Sequence, residues 1–310
     1  MSTLFYSHPS FLEHNTGLGH PERADRLRAI DRVLAHDLFE GLERVEASKA
    51  DPAVIEYAHP IAYREMLEGA SPIDDIVYLD GDTIMSPGSL NAAYHAVGAM
   101  LDSVDQVMGG RADNAFCAVR PPGHHAESLR PMGFCLFNNV AIAAKYARDK
   151  HSAERVAVVD FDVHHGNGTQ EIFWDDKDLL YASTHQMPLY PGTGAVTETG
   201  VGNIFNAPLS EGDGGDKLRE AFEEKLLPAI SEFSPDLLLI SAGFDAHVDD
   251  PLAGLTMVEG DFAWVTQKLV DLADAKCDGR VVSVLEGGYD LTALAKSVGV
   301  HVKVLMDASK

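Results

Sequence analysis

Five short apolar runs, separated by longer stretches of helical pattern, limit most strongly how this chain can fold. Each run is rich in β-branched or other apolar residues and leads into Gly, Pro, Asp or His, which is typical of a strand buried on both faces. The predicted strands cover residues 114–120, 155–160, 179–184, 236–242 and 280–286. Apolar residues at helical spacing predict helices over residues 89–108, 138–150, 217–232 and 259–275.

Strands that alternate with helices predict a parallel sheet covered by helices on both faces. No internal repeat, low-complexity segment or linker divides the 310 residues. We therefore predict one domain over residues 1–310, with an α/β fold in three layers, α/β/α, around a mainly parallel sheet.

The charge of the chain excludes some partners. Its 48 acidic and 24 basic residues give a net charge of −24, which repels nucleic acid and anionic membranes. We favour solubility as the meaning of this charge, and attraction of cationic substrates is the alternative. No apolar run approaches the roughly 18 residues of a membrane span, and the N-terminus lacks the pattern of a secretory signal, so we expect a cytoplasmic protein.

The cysteines limit the kind of metal site. Cys117, Cys135 and Cys277 are odd in number and show no C-x-x-C spacing, which argues against a disulfide framework and against a thiolate zinc site. Any metal ion is therefore expected to bind His and carboxylate ligands.

Polar side chains follow four of the predicted strands, at the edge where parallel sheets bind their ligands. Histidine pairs occur there twice, at His124-His125 and at His164-His165. Asp162 and His164 are two residues apart, so in an extended segment both side chains point the same way and can reach one metal ion. An isolated Asp-x-His is more often a strand-end turn, but the repeated placement on this edge favours a site.

Asp245 follows another strand and offers a third ligand. Three protein ligands with one open position describe a catalytic zinc site, although Fe(II), Mn(II) and Co(II) suit the same donors. His124 and His125 are candidates for a general base, with Asp160 and Asn167 as groups that could orient them. Tyr289 follows Gly287 and Gly288, which would bring its phenol and the backbone close to a ligand.

These residues resemble the motifs of the histone deacetylase superfamily, which includes acetylpolyamine amidohydrolases and acetoin-utilisation proteins. The resemblance spans nearly the whole chain in order, and Asn167 with the Glu-Gly-Gly-Tyr ending gives it a class II, bacterial character. The matching motifs are HPER at 20–23, RPPGHH at 120–125, GFC at 133–135, DFDVHHGNGT at 160–169, YPGTG at 190–194, SAGFD at 241–245 and EGGY at 286–289.

The resemblance implies one Zn²⁺ ion bound by Asp162, His164 and Asp245. It implies that His125 acts as general base and then acid, and that His124 is its electrostatic partner, paired with Asp160. The Tyr289 phenol would polarise the acyl carbonyl together with zinc.

The resemblance also implies a tunnel for an acyl-lysine side chain. Its walls would be Phe134 and Tyr190, and the carbonyl of Gly133 would accept the N–H of the scissile amide. Asp82 is expected at the rim, where it could hold backbone amides of a substrate. Leu252 stands where a polyamine-selective enzyme might place an acidic residue.

Two further features follow from the family. Arg26 is expected near an internal exit cavity for acetate. A potassium ion is expected beneath the zinc, bound by the side chains of Asp160, Asp162 and Ser183 and by carbonyls that include those of His164 and Thr184. A second alkali site is expected near Phe173 and Leu179.

We therefore predict a zinc-dependent amidohydrolase that removes acetyl or related acyl groups from acyl-lysine peptides or proteins. An acetylpolyamine amidohydrolase is the first alternative. An arginase-like amidinohydrolase is less favoured because the chain lacks the Asp-x-His-x-Asp run of a two-manganese site. A non-catalytic relative is disfavoured by the retained histidines, Tyr289 and ligand positions, and the oligomeric state stays open.

Overall fold

The centre of the protein is an eight-stranded sheet whose neighbouring strands are all parallel. The computed structural model describes residues 2–309. The order across the sheet is β2-β1-β5-β10-β9-β6-β7-β8. Its strands are β1 (Thr3–Ser7), β2 (Glu43–Glu46), β5 (Asn114–Cys117), β6 (Val156–Asp160), β7 (Leu179–Gln186), β8 (Ile204–Leu209), β9 (Leu237–Ala242) and β10 (Val281–Leu285), and an antiparallel pair, β3 (Val77–Tyr78) and β4 (Ile84–Met85), lies apart from them.

The sheet confirms the predicted fold class and all five predicted strands, with shifts of up to three residues at their ends. The sequence did not predict β1, β2 and β8. β2 and β8 lie at the two edges of the sheet, and the mostly exposed residues of β2 do not form an apolar run. Edge strands bury less of their surface, so their sequences carry a weaker periodic signal.

Helices cover both faces of the sheet, as predicted. Helices α3 and α4 pack together on one face, whereas α1, α8 and α9 pack together on the other. The helices are α1 (Asp25–Leu34), α2 (Ile61–Ala70), α3 (Ser89–Met108), α4 (Asn139–His151), α5 (Asn167–Phe173), α6 (Gly215–Ala221), α7 (Leu227–Phe233), α8 (Glu259–Cys277) and α9 (Leu291–Ala308).

The helix predicted over 217–232 is not a continuous α-helix. A π-helical turn, Phe222–Leu226, separates α6 from α7. Pro228 has no backbone N–H to donate, which favours an altered hydrogen-bond pattern in the preceding turn.

The order of the strands brings the candidate site residues together. β5, β10, β9 and β6 are consecutive neighbours, so the four loops that follow them leave one continuous stretch of the sheet edge. In register, Asp160 lies beside Ser241 and also beside Ser183. The structure thus places the polar residues after these strands at one rim, as the sequence predicted. None of the helices within residues 2–309 is long and apolar enough to cross a membrane.

Candidate active site

Asp162, His164 and Asp245 form the one cluster of potential metal ligands found among residues 2–309. Asp162 and His164 follow β6, and Asp245 follows β9. One ligand atom from each residue lies within 4.8 Å of the others. His164 Nδ1 is 3.2 Å from Asp162 Oδ1 and 3.0 Å from Asp245 Oδ2. The three donor atoms therefore face a common point.

The electrostatics of this cluster fit a bound divalent cation. Burial and the negative charge of Asp162 raise the pKa of Asp245 to about 7. Burial opposes the charged form of His164, but the hydrogen-bonded carboxylates of Asp162 and Asp245 outweigh it and raise its pKa to about 10. Both shifts show that this cluster favours added positive charge. Carboxylate oxygen with imidazole nitrogen is a donor set that suits Zn²⁺ and related metals.

Backbone groups hold the two carboxylates in place. The N–H of Gly287 donates to Asp162 Oδ2 at 2.7 Å, and the N–H of Val163 donates to Asp245 Oδ1 at 2.9 Å. A Cβ atom at Gly287 would lie 2.1 Å from Asp245 Oδ2, so this position has no room for a side chain. Glycine is therefore needed at position 287, because it lets the loop after β10 approach the cluster closely.

His124 lies behind the cluster and faces carboxylates. Its Nδ1 is 2.9 Å from Asp160 Oδ2 and its Nε2 is 3.9 Å from Asp162 Oδ2. Burial would lower the pKa of His124, but the charges of Asp160 and Asp162 outweigh burial and raise it to about 10. Tyr181 also donates to Asp160 Oδ2, at 3.0 Å. The neighbouring carboxylates therefore favour the protonated form of His124.

His125, next in the chain, has opposite surroundings. Its Nδ1 is 2.8 Å from Asn167 Oδ1, a neutral acceptor. Burial, and then the positive charges of His124 and His164, lower the pKa of His125 well below its usual value. A Cβ atom at Gly133, whose φ is +55°, would lie 2.4 Å from the His125 ring. Glycine thus gives the left-handed backbone and lets the ring pack against it.

A cavity of about 250 Å³ leads from the surface to these residues. Phe134 and Tyr289 meet edge to face with ring centroids 5.9 Å apart, and Tyr190 meets His125 in the same manner at 5.2 Å. The cavity is lined by Asp82, His125, Gly133, Phe134, His164, Leu189, Tyr190, Leu252 and Tyr289. The predicted tunnel residues thus surround one space. Leu189 also lines it, and the sequence did not predict this because Leu189 lies between the recognised motifs.

Tyr289 places a protonated phenol in this cavity. Burial and the negative charge of Asp245 raise its pKa well above the ordinary value, so the hydroxyl keeps its proton. The backbone N–H of Tyr289 donates to Asp250 Oδ2 at 2.7 Å. This bond holds Tyr289 against the loop after β9 that contains Asp250 and Leu252.

Arg26 lies under Tyr289 and is not among the residues that line the cavity. Its guanidinium is fully buried, 5.1 Å from the centre of the Tyr289 ring. It donates to the carbonyls of Glu286 and Gly288 and pairs with Glu22 at 3.3 Å. The hydrogen bonds of Arg26 therefore support the Tyr289 loop, and the exit cavity expected near it stays a prediction.

The residues expected to bind potassium lie directly behind Asp162. Asp160 Oδ1 accepts from the N–H of Asp162 at 3.1 Å, and Ser183 Oγ is 2.9 Å from His185 Nδ1. Thr184 is buried on the same strand as Ser183. In the region expected to hold a second alkali ion, the Asn203 side-chain amide donates to the carbonyls of Phe173 and Leu179 at 2.9 and 2.7 Å. The second alkali site stays a prediction.

Two buried groups at the site had no role in the sequence prediction. Glu286 accepts from the backbone N–H groups of Gly123 and His124, at 2.7 and 3.2 Å. Tyr181 bridges the Gly166 N–H and Asp160. Tyr181 lies within an apolar strand, so the sequence gave no indication that it has a polar partner. Glu286 could have been identified from the sequence, because a charged residue at the end of a buried strand is unusual.

Fold and site together define an α/β protein with a narrow cavity above a buried cluster of potential metal ligands. Residues 20–305 match the family model described as the histone deacetylase domain. The chain belongs to the histone deacetylase family.

Individual relatives agree with this assignment. An uncharacterized protein of Synechocystis is 43% identical over 99% of this chain and 100% of its own length. A probable deacetylase of Archaeoglobus fulgidus is 39% identical over 94% of this chain and 82% of its own. The crystal structure of the HDA15 HD domain superposes with a TM-score of 0.93 at 38% identity and covers 99% of this chain and 89% of that one. The deacetylase family and the fold are therefore established by both sequence and structure.

Proposed function

We propose that the protein is a zinc-dependent hydrolase that removes acetyl or related acyl groups from the side-chain amine of acyl-lysine. The observation that carries this proposal is the convergence of the Asp162, His164 and Asp245 cluster with a neutral His125 and a protonated Tyr289 at one narrow cavity. Amide hydrolysis needs a site for a nucleophilic water, a base and an oxyanion donor, and these groups match the three requirements.

Asp162, His164 and Asp245 would hold the zinc ion. A bound Zn²⁺ supplies Lewis acidity, which polarises an acyl carbonyl and lowers the pKa of water. Asp160, Ser183 and Thr184, with Asp162 and His164, remain the candidates for a potassium ion behind this site.

His125 is the proposed general base and then acid. Burial keeps the imidazole neutral, so it can accept a proton from water and return it to the leaving amine. Asn167 Oδ1 orients its ring through Nδ1. The carboxylate of Asp160 favours the protonated form of His124, which would add positive charge next to the reacting atoms.

Tyr289 is the proposed oxyanion donor. Its hydroxyl stays protonated and lines the same cavity as His125, so it can donate a hydrogen bond to the developing negative charge. Gly287 and Gly288 allow this close placement, and the carbonyl of Gly133 would accept the amide N–H of the substrate.

The cavity lining supports an extended apolar chain as the substrate. Phe134 and Tyr190 offer aromatic walls for the methylenes of lysine, and Leu189 and Leu252 add aliphatic surface. Asp82 lines the same cavity, where its carboxylate could accept from backbone amides of a peptide.

Deacetylation of acetylated polyamines is the second candidate. The net charge of −24 and the carboxylate of Asp82 favour a cationic substrate. Leu252 disfavours it, because an apolar side chain lines the cavity where an acidic residue would pair with a second amine. The arginase-like alternative has no support, because residues 2–309 contain a single cluster of three potential ligands.

The test is hydrolysis of a fluorogenic acetyl-lysine peptide beside N-acetylputrescine and N-acetylcadaverine by the zinc-loaded protein. Tyr289→Phe is the control, and we expect its rate on the peptide to fall by about 10²- to 10³-fold, the cost of losing one oxyanion donor. Hydrolysis of the acetylated polyamines but not of the peptide would favour the second candidate function, deacetylation of polyamines. No turnover of any substrate by zinc-loaded protein would contradict both.

A further inference from the structure

We propose that Glu127 is a positioning residue that sets which nitrogen of His125 carries the proton. The inference rests on the proposed function for its catalytic meaning, but its structural part does not depend on activity. Glu127 lies in the loop after β5, where its backbone pairs with that of Arg130 in a tight turn. Its side chain is 28% exposed and contacts Asn167 but not His125.

The amide of Asn167 can face His125 in two ways. With the oxygen toward His125, Nδ1 of the imidazole must be the donor and Nε2 is left as a bare acceptor. With the NH₂ toward His125, Nδ1 becomes the acceptor and Nε2 carries the proton. Only the first arrangement gives a base whose free nitrogen can accept a proton from water.

The surroundings of the Asn167 NH₂ group select the first arrangement. Asn167 Nδ2 donates to Glu127 Oε1 at 2.8 Å, and its other neighbours are Met132 Sδ at 3.3 Å and the carbonyl of His125 at 3.5 Å. All three are acceptors. A flipped amide would place its oxygen against a carboxylate that has no proton to donate, and Asn167 itself is buried, so the unfavourable contact of two acceptors would cost free energy.

The carboxylate is the strongest of these three partners, because the sulfur and the carbonyl lie at longer distances and the charged acceptor gives the stronger bond. Arg130 holds it in turn, with its Nε 3.2 Å from Glu127 Oε2. The chain Arg130, Glu127, Asn167 and His125 thus runs from the surface to the cavity. Glu127 decides the direction of the Asn167 amide, and the amide decides which nitrogen of His125 donates.

The matched control is Glu171. This carboxylate, on α5, accepts from the backbone N–H and the hydroxyl of Ser128 at 2.9 and 2.8 Å. It therefore supports the same loop as Glu127 through the adjacent residue. Both of these hydrogen bonds are to Ser128 and neither is to the Asn167 side chain, so Glu171→Gln disturbs the loop and leaves the amide orientation alone.

The test is a two-bond ¹H–¹⁵N correlation spectrum of the zinc-loaded protein labelled at histidine, with His125 assigned from a His125→Ala variant. We expect His125 to carry its proton on Nδ1 in the wild type and in Glu171→Gln. Glu127→Ala is expected to show a mixture of tautomers. Its kcat on the acetyl-lysine peptide should fall by about ten- to a hundredfold with KM within about twofold, the usual cost of losing an orienting partner.

The rescue variant separates orientation from simple loop damage. In Glu127→Ala/Asn167→Asp, a carboxylate replaces the amide and offers oxygen on either side, so it needs no orienting partner. We expect this double variant to return the proton to Nδ1.

A wild-type proton on Nε2 would overturn the proposal, as would a Glu127→Ala protein with the wild-type tautomer and the kcat of Glu171→Gln. The wild-type spectrum decides this even if Glu127→Ala does not fold. Lack of peptide hydrolysis by wild type would contradict the proposed function and leave the tautomer result standing.

Discussion

Two buried histidine sites, one at His301 and one at His164, differ in the charge of their surroundings. His301 is fully buried between α8, α9 and β10, with its ring nitrogens 2.7 Å from Thr266 Oγ1 and 2.9 Å from Ser283 Oγ. Burial lowers the pKa of His301 to about 3, so it is neutral. His164 is also largely buried, yet the carboxylates of Asp162 and Asp245 raise its pKa to about 10.

The comparison shows that burial alone does not reveal the role of a histidine. Hydroxyl partners can donate or accept, so the His301 cluster satisfies its own hydrogen bonds and needs no ligand. The two carboxylates beside His164 offer more acceptor oxygens than the imidazole has protons to donate. A bound cation would complete this cluster, whereas the His301 cluster is complete as it stands.

The largest expected effect is the loss of a metal ligand. Asp245→Asn removes one anionic donor, and we expect the rate of acetyl-lysine hydrolysis to fall by about 10³-fold or more, since Lewis-acid stabilisation contributes several kcal/mol. Zinc content after dialysis should fall in parallel. Asp249→Asn, a charge change four residues further along and exposed to solvent, is the control. Equal activity of both variants would remove Asp245 from the site.

Zinc removal is the second way to test whether the His164 cluster, unlike the His301 cluster, binds a metal ion. At free zinc about a hundredfold above its Kd, a ligand that binds only the folded state raises the free energy of unfolding by about 2.7 kcal/mol. We expect a chelator to remove this increment in urea unfolding of the wild type. The increment should be absent in Asp245→Asn, and an unchanged increment there would place the zinc elsewhere.

The His301 cluster should control stability rather than activity. The pKa of His301 is about 3 in the folded protein and near 6.5 when unfolded, so between these values only the unfolded chain binds the proton. Stability therefore falls as pH drops below about 6.5, by up to about 1.4 kcal/mol per pH unit for this residue.

A His301→Asn variant tests this assignment. Urea unfolding between pH 5 and 7.5 should show a shallower pH dependence than in the wild type. The rate of peptide hydrolysis per folded molecule at pH 7.5 should stay unchanged. A large loss of that rate would mean that this cluster is coupled to the catalytic one.

The smallest expected effect comes from a carboxylate placed at the cavity, where water reaches it. Leu252→Glu should lower KM for N-acetylputrescine by about two- to fivefold, the scale of an exposed ion pair, and leave KM for a neutral acetyl-lysine peptide nearly unchanged. The measurement is steady-state hydrolysis at low and moderate salt. An effect that does not weaken with salt would show that the pairing is not electrostatic.

The local sequence was sufficient to predict much of the fold and the ligand positions. Apolar runs that end in Asp160, Ala242 and Glu286 are visible without tertiary contacts, because a strand buried on both faces needs a continuous apolar segment. The Asp162-x-His164 spacing has a local geometric meaning, because alternate residues of an extended chain share a side. The strands β1, β2 and β8 were not predicted, and of these β2 and β8 lie at the two edges of the sheet.

Tertiary structure decided which atoms meet. Glu286 reaches the backbone of His124 across 162 residues, and Glu127 reaches Asn167 across 40. The partners of Asn203 and Arg26 likewise depend on how separate loops pack. The sequence by itself determined residue types, strand ends and local spacing. Only the folded structure decided charge states and hydrogen-bond directions, because these depend on burial and on neighbours that are distant along the chain.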